Sequence, residues 1–122
     1  MNKIILVVED QEDNRKILRD LFTANGFRVI EARDGLEGLE LAASSRPDLI
    51  LMDVQLPTLD GYEATRRIKA DRELKMIPVF VVTSYALSGD SQKAFKAGCD
   101  AYITKPYSPR QLLAKVWEFL GR

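Results

Sequence analysis

Three short runs of uninterrupted apolar residues, Ile4 to Val8, Leu49 to Met52 and Val79 to Val82, recur along the chain. Each run stops at polar groups: Glu9 and Asp10 after the first, Asp53 after the second, Thr83 and Ser84 after the third. A run of this length is strand-sized, and without polar alternation it must be covered on both faces, as in a parallel sheet. Two more hydrophilic segments, Phe27 to Ala32 (with Arg28 and Glu31) and Ala101 to Thr104, read as edge strands. Between the strands, apolar residues return at helical spacing. They are Ile17, Leu18, Leu21 and Phe22; then Leu36, Leu39 and Ala43; then Ala64 and Ile68 in a helix from Tyr62 to about Asp71. A fourth helix over 90–98 is expected to turn Ala94, Phe95 and Ala97 inward, and a fifth, from Pro109, carries Leu112, Leu113, Val116, Phe119 and Leu120 as one stripe. Asn25-Gly26 and Gly98 provide helix exits, and Asp34-Gly35 provides a helix start without the glycine pattern of a dinucleotide loop.

Five strands alternating with five helices predict an α/β fold, and right-handed crossovers place helices on both faces of a parallel sheet. With the hydrophilic second and fifth strands at the edges, the expected order is 2-1-3-4-5, a doubly wound arrangement. The 122 residues are expected to form one domain, and no internal repeat is evident. Polar strand ends then converge on one rim, the edge at which such sheets bind ligands.

Composition narrows the function. Lysine plus arginine (18) equal aspartate plus glutamate (18), so the chain lacks the basic footprint of a direct nucleic-acid binder. The cluster Arg66, Arg67 and Lys69 reads as a solvated helix face. The apolar run after Met1 is too short for a membrane span and is followed at once by acids, so a soluble cytoplasmic protein without membrane contact is expected. There is no histidine, and the lone Cys99 can form neither a zinc site nor an internal disulfide. It is read as a small core residue.

The rim gathers Glu9, Asp10 and Asp53, three carboxylates whose repulsion a cation would relieve. All-oxygen donors suit magnesium, which keeps several waters and bridges readily to phosphate. Lys105 contributes a point charge and Thr83 a hydroxyl donor. This combination fits metal-assisted phosphoryl transfer with a carboxylate as covalent acceptor, and Asp53, at the end of the most apolar strand, is the candidate acceptor. No general base is evident. An ionised aspartate attacking a phosphoryl group needs none.

Taken together, Val-Val-Glu9-Asp10, Asp53 with Leu56-Pro57 and Asp60-Gly61, Thr83-Ser84, and Tyr102-Ile-Thr-Lys105-Pro106 resemble the receiver domain of two-component response regulators. The resemblance runs from Lys3 to Leu120 and implies a CheY-like, flavodoxin-like (βα)5 fold. It implies that Asp53 is the phosphoacceptor, with Lys105 and Thr83 assisting. Asp10, Asp53 and the backbone carbonyl of Gln55 would ligate magnesium, with Glu9 holding metal-bound water. Thr83, Ser84 and Lys105 would bind the phosphoryl oxygens. Tyr102 stands where the family keeps a switch aromatic that follows Thr83, and the bond before Pro106 is usually cis in the family. Gln55 and Tyr85 would flank the approach of water to the phosphoryl group. The segments Thr83-Ser84-Tyr85-Ala86 and Gly98-Cys99-Asp100-Ala101-Tyr102 further resemble stand-alone DivK-like regulators and the receivers of hybrid kinases.

On this resemblance the phosphodonor is a histidine kinase or a histidine phosphotransfer protein. A downstream protein would meet the fourth helix, fifth strand and fifth helix, with Tyr102, Tyr107 and Lys93 available to it. If Arg122 is the natural end, output is through protein contact. Tyr85 and Tyr107 are read as exposed amphipathic contacts. Two other classes share features of this chain: an unphosphorylated pseudo-receiver, which usually lacks an acid, the lysine or the acceptor, and an aspartate-nucleophile phosphohydrolase. The latter keeps a second aspartate two residues after the first, where this chain has Gln55.

Overall fold

The computed structural model describes residues 2–84 and 90–121. In chain order these form β1 (Ile4–Val8), α1 (Glu12–Ala24), β2 (Arg28–Ala32), α2 (Gly35–Ser45), β3 (Leu49–Asp53), α3 (Gly61–Ala70), β4 (Val79–Thr83), α4 (Asp90–Ala97), β5 (Ala101–Thr104) and α5 (Pro109–Leu120). The strands are all parallel in one sheet of order β2-β1-β3-β4-β5, as the hydropathy pattern predicts. Every residue of β3 and β4 is buried, whereas β2 and β5 keep partly exposed positions at the edges. No described helix is long and apolar enough to cross a membrane.

Strand alternation splits the core in two. Leu6, Val8, Ile50, Met52, Val79 and Val81 pack on one face with Ala42, Ala64, Ile68 and Ala94 of α2, α3 and α4. Ile5, Val7, Leu49, Leu51, Phe80 and Val82 pack on the other with Leu18 and Phe22 of α1 and Leu112 and Val116 of α5. The uninterrupted apolar runs follow from this, since odd and even positions both meet a helix layer.

Helix faces depart from expectation where small residues make the contact. In α2 the buried positions are Gly35, Gly38 and Ala42, while Leu36 and Ala43 are exposed. A Cβ on Gly38 would come within 3.0 Å of a Val8 methyl, so α2 lies too close to the sheet for larger side chains on that stripe. Likewise α4 buries Ala94 and Ala97 and leaves Phe95 54% exposed, contrary to the inward placement expected for it. In α1 the buried stripe is Arg15, Leu18 and Phe22, which leaves Ile17 56% exposed one position off it. Phe119 is also partly exposed, with its ring edge-on to Phe80 at a centroid distance of 5.0 Å. Cys99 is buried as expected, and burial pushes its thiol up to about 11.

Thr65 of α3 is fully buried, and its hydroxyl has no hydrogen-bond partner among the described residues. Thr65→Val, which keeps the shape and removes the unmatched polar group, is expected to raise stability by about 1 kcal/mol. A lower urea midpoint in the variant would refute this account of the hydroxyl.

Candidate functional site

Register and pleat decide which groups meet at the carboxyl rim. Val8 is level with Met52 and Val82 with Asp53, so Glu9 and Asp53 leave adjacent strands at the same height. Both continue the odd-numbered series facing α1 and α5, and Lys105 continues the corresponding series of β5. The Lys105 N–H donates to the Thr83 carbonyl at 2.7 Å, and the Lys105–Pro106 peptide is cis, as the resemblance implies. Thr83, by contrast, continues the series of Val79 and Val81 and so belongs to the opposite face, as does Tyr102.

Glu9 and Asp53 are 3% and 8% exposed. Lys105 Nζ donates to Glu9 Oε1 at 2.8 Å and to Asp53 Oδ2 at 3.2 Å, bridging the two acids. Glu9 Oε2 accepts from the Gln11 N–H at 3.0 Å, and Asp53 Oδ1 from the Gln55 N–H at 3.4 Å. Burial, followed by the neighbouring Glu9 charge, pushes the Asp53 carboxyl up to about 6 despite Lys105. Burial also opposes the Glu9 charge, but Lys105 and the Gln11 N–H more than offset it and hold this carboxyl below its usual range. Asp10, half-buried, is raised by burial and by Glu9. Burial likewise works against the Lys105 charge, and the Glu9 and Asp53 carboxylates outweigh it and raise the ammonium's pKa.

The loop after Asp53 is fixed from three sides. The Val54 N–H donates to Val82 O at 3.1 Å, and the Gly61 N–H to Val54 O at 2.9 Å. Gly61 has no alternative residue, because a Cβ there would overlap the Asp53 carbonyl oxygen. Thr58 takes a φ of 68°, unusual for a β-branched residue. Its hydroxyl donates to Asp34 Oδ1 at 3.2 Å and accepts from the Leu36 N–H at 3.4 Å, which ties the loop to the start of α2. Gln55 is exposed in this loop, and Ser84 is exposed beyond β4.

Glu9, Asp10, Asp53, Thr83 and Lys105 thus end side by side on the rim, as expected from the sequence, and Tyr102 lies partly buried on β5. Tyr85 lies outside the described residues. Two residues were not anticipated. Tyr107, expected to be an exposed contact, is half-buried and lines the cleft with Glu9, Asp53 and Lys105, and burial raises its phenol. Arg15, on the α1 stripe, donates from Nη1 to the Glu9 carbonyl at 2.7 Å. The one signal for it is its place on the buried face of α1, three residues before Leu18.

Glu9, Asp10 and Asp53 offer carboxylate oxygens that all lie within 4.8 Å of one another. Hard oxygen donors with an excess of negative charge fit a divalent cation such as magnesium.

Folding of the metal-free protein takes up a proton at Asp53 as pH falls from its folded value of about 6 toward its ordinary 3.8. The cost of its charge is therefore full above pH 7 and relieved at low pH. Asp53→Asn without metal is expected to be more stable than wild type at pH 8 by on the order of 2 kcal/mol, with a smaller gain at pH 5. Equal gains at both pH values in urea unfolding would contradict the raised Asp53 carboxyl.

The family model of the response regulator receiver domain matches residues 5–117. The chain is 47% identical over 121 residues to the polar-differentiation response regulator DivK of Brucella anthropi, a match that covers 99% of this chain and 98% of that one. The receiver domain of a sensor histidine kinase from Pseudomonas aeruginosa, solved with magnesium coordinated in its active-site cleft, superposes with a TM-score of 0.91 at 34% identity over all of both chains. The chemotaxis protein CheY4 of Vibrio cholerae superposes with a TM-score of 0.91 at 25% identity, over 98% of this chain and 99% of that one. Such receivers are signalling proteins rather than conventional enzymes, working with kinases and downstream targets. With that match and with the acids and lysine on one rim, the chain belongs to the response regulator receiver domains of two-component signalling.

Proposed function

We propose that residues 1–122 act as one cytoplasmic receiver unit that accepts a phosphoryl group on Asp53, with magnesium, from a phosphohistidine of a kinase or phosphotransfer protein. The observation that carries this reading is the buried Asp53 carboxylate, disfavoured as an anion by burial and by Glu9 yet within 3.2 Å of Lys105. A group in that position gains from any chemistry that adds positive charge or shares its own charge with another centre.

Asp10, Asp53 and the Gln55 carbonyl would hold the metal, and Glu9 its water. Bound there, the ion would neutralise charge on the acids and on the incoming phosphoryl group. An Asp53 oxygen attacks phosphorus as the bond to the histidine nitrogen breaks, and the imidazole departs with that electron pair. Lys105, already between two carboxylates, pairs with a phosphoryl oxygen, and the Thr83 hydroxyl donates to another. The Ser84 backbone N–H is a further donor. Water entering past Gln55 and Tyr85 later hydrolyses the acyl phosphate and resets the site.

Output is assigned to the face made by α4, β5 and α5. Thr83 senses the phosphoryl group, and it shares its side of the sheet with Tyr102 and α4. A shift of Thr83 toward the rim alters packing beneath α4 and Tyr102, with Lys93 exposed on that helix.

Incubation with acetyl phosphate and magnesium is expected to add one phosphoryl group by intact mass, and to add none in Asp53→Ala or after chelation. Mass gained by Asp53→Ala would overturn the assignment, and no gain in wild type with any phosphodonor would favour a pseudo-receiver. Beryllofluoride should move amide resonances across α4 and β5 in wild type. In Lys105→Ala these shifts are expected to shrink while magnesium affinity is largely kept, and full-size shifts would remove Lys105 from the relay.

A further inference from the structure

Among the described residues Arg15 is the only buried lysine or arginine, at 6% exposure. A guanidinium withdrawn from water persists only where its donors are matched. Arg15 Nη1 donates to the Glu9 carbonyl at 2.7 Å, Nε faces Glu31 Oε1 on the edge strand β2 at 3.5 Å, and Nη2 pairs with Glu12. The rest of Glu9 is equally engaged. Its N–H donates to Ala32 O at 3.0 Å, Oε1 accepts from Lys105 at 2.8 Å and Oε2 from the Gln11 N–H at 3.0 Å. Arg15 thus completes the hydrogen bonding of the residue at the turn from β1 into α1, and Asp10 leaves the chain directly after that residue.

We propose that Arg15 is a positioning residue for the acid cluster: anchored by Glu31, it locks the Glu9 peptide and so sets the direction of the Glu9 and Asp10 carboxylates toward the metal. The inference rests on the metal reading given under Proposed function. It has a signature that charge alone cannot produce. A buried cation repels a bound metal ion, so loss of the Arg15 charge would by itself tighten magnesium binding. Loss of the anchor acts in the opposite direction, as displacement of residues that orient metal ligands weakens affinity.

Calorimetric titration of the full chain with magnesium chloride is the test. Arg15→Met is expected to weaken binding about tenfold, within the range for residues that orient ligands. Arg15→Lys keeps the charge but lacks the planar fork that reaches both Glu9 and Glu31, and it is expected to weaken binding as well. Lys16→Met removes an exposed charge one position away and serves as the control, with affinity kept within about twofold. Unchanged or tighter binding in folded Arg15→Met overturns the proposal. Should that variant not fold, unchanged or tighter binding in Arg15→Lys overturns it equally. Amide exchange at Gln11, whose N–H is held by Glu9, is read in metal-free protein alongside. Faster exchange in the variant supports the lock, and unchanged exchange overturns it. Were wild type to bind no magnesium, the metal reading would fall, and the Gln11 exchange would still decide whether Arg15 holds the corner.

Discussion

Two carboxylates and one ammonium brought to within 3.2 Å at the ends of three strands are the condition on which the rest of the molecule turns. Glu9 and Asp53 are both buried, so neither can shed its charge into water, and a single lysine serves both. Asp53 is left with the less favourable share, so its charge is the one a cation at the rim would relieve most. Holding it there takes a rigid surround. The sheet register sets its height, Gly61 lets the returning chain pass against its carbonyl, and the bonds of Thr58 to Asp34 and Leu36 fasten the loop that carries Gln55.

The sheet and the site were legible in the sequence for one reason: buried parallel strands must be apolar along their length, so the first polar residue after each marks the rim. Glu9, Asp53 and Thr83 follow from that rule without knowledge of the helices. Helix faces were less legible because size misleads. Leu36 and Phe95 point outward, while Gly38, Ala42, Ala94 and Ala97 are buried and Leu39 and Leu41 pack only partly buried beside them; at Gly38 the approach to Val8 leaves no room for a larger side chain. Arg15 was hidden by the opposite habit. An arginine among charged neighbours in Glu12 to Lys16 reads as solvated, and only tertiary placement reveals that its fork reaches the Glu9 backbone and Glu31. Tyr107 was hidden by the turn after Lys105, beyond which it lines the cleft with that lysine.

Pleat parity adds a step that neither the acids nor the lysine supply. Glu9, Asp53 and Lys105 continue the series that faces α1 and α5, whereas Thr83 and Tyr102 continue the series that faces α2, α3 and α4. A phosphoryl group on Asp53 would therefore form on one side of the sheet and be sensed by a residue of the other. Were Thr83 one position earlier, its hydroxyl would lie on the acceptor's side, and its displacement would be felt by α1 and α5 instead. On the proposed reading, the offset of one residue between Asp53, level with Val82, and Thr83 is what would link a step at Asp53 to α4. Glu9 has its N–H, its carbonyl and both carboxylate oxygens bonded, so the acid side offers a fixed frame. On the proposed reading, that frame would hold the acids in place while a phosphoryl group on Asp53 drew on Thr83, which is itself buried on the other face.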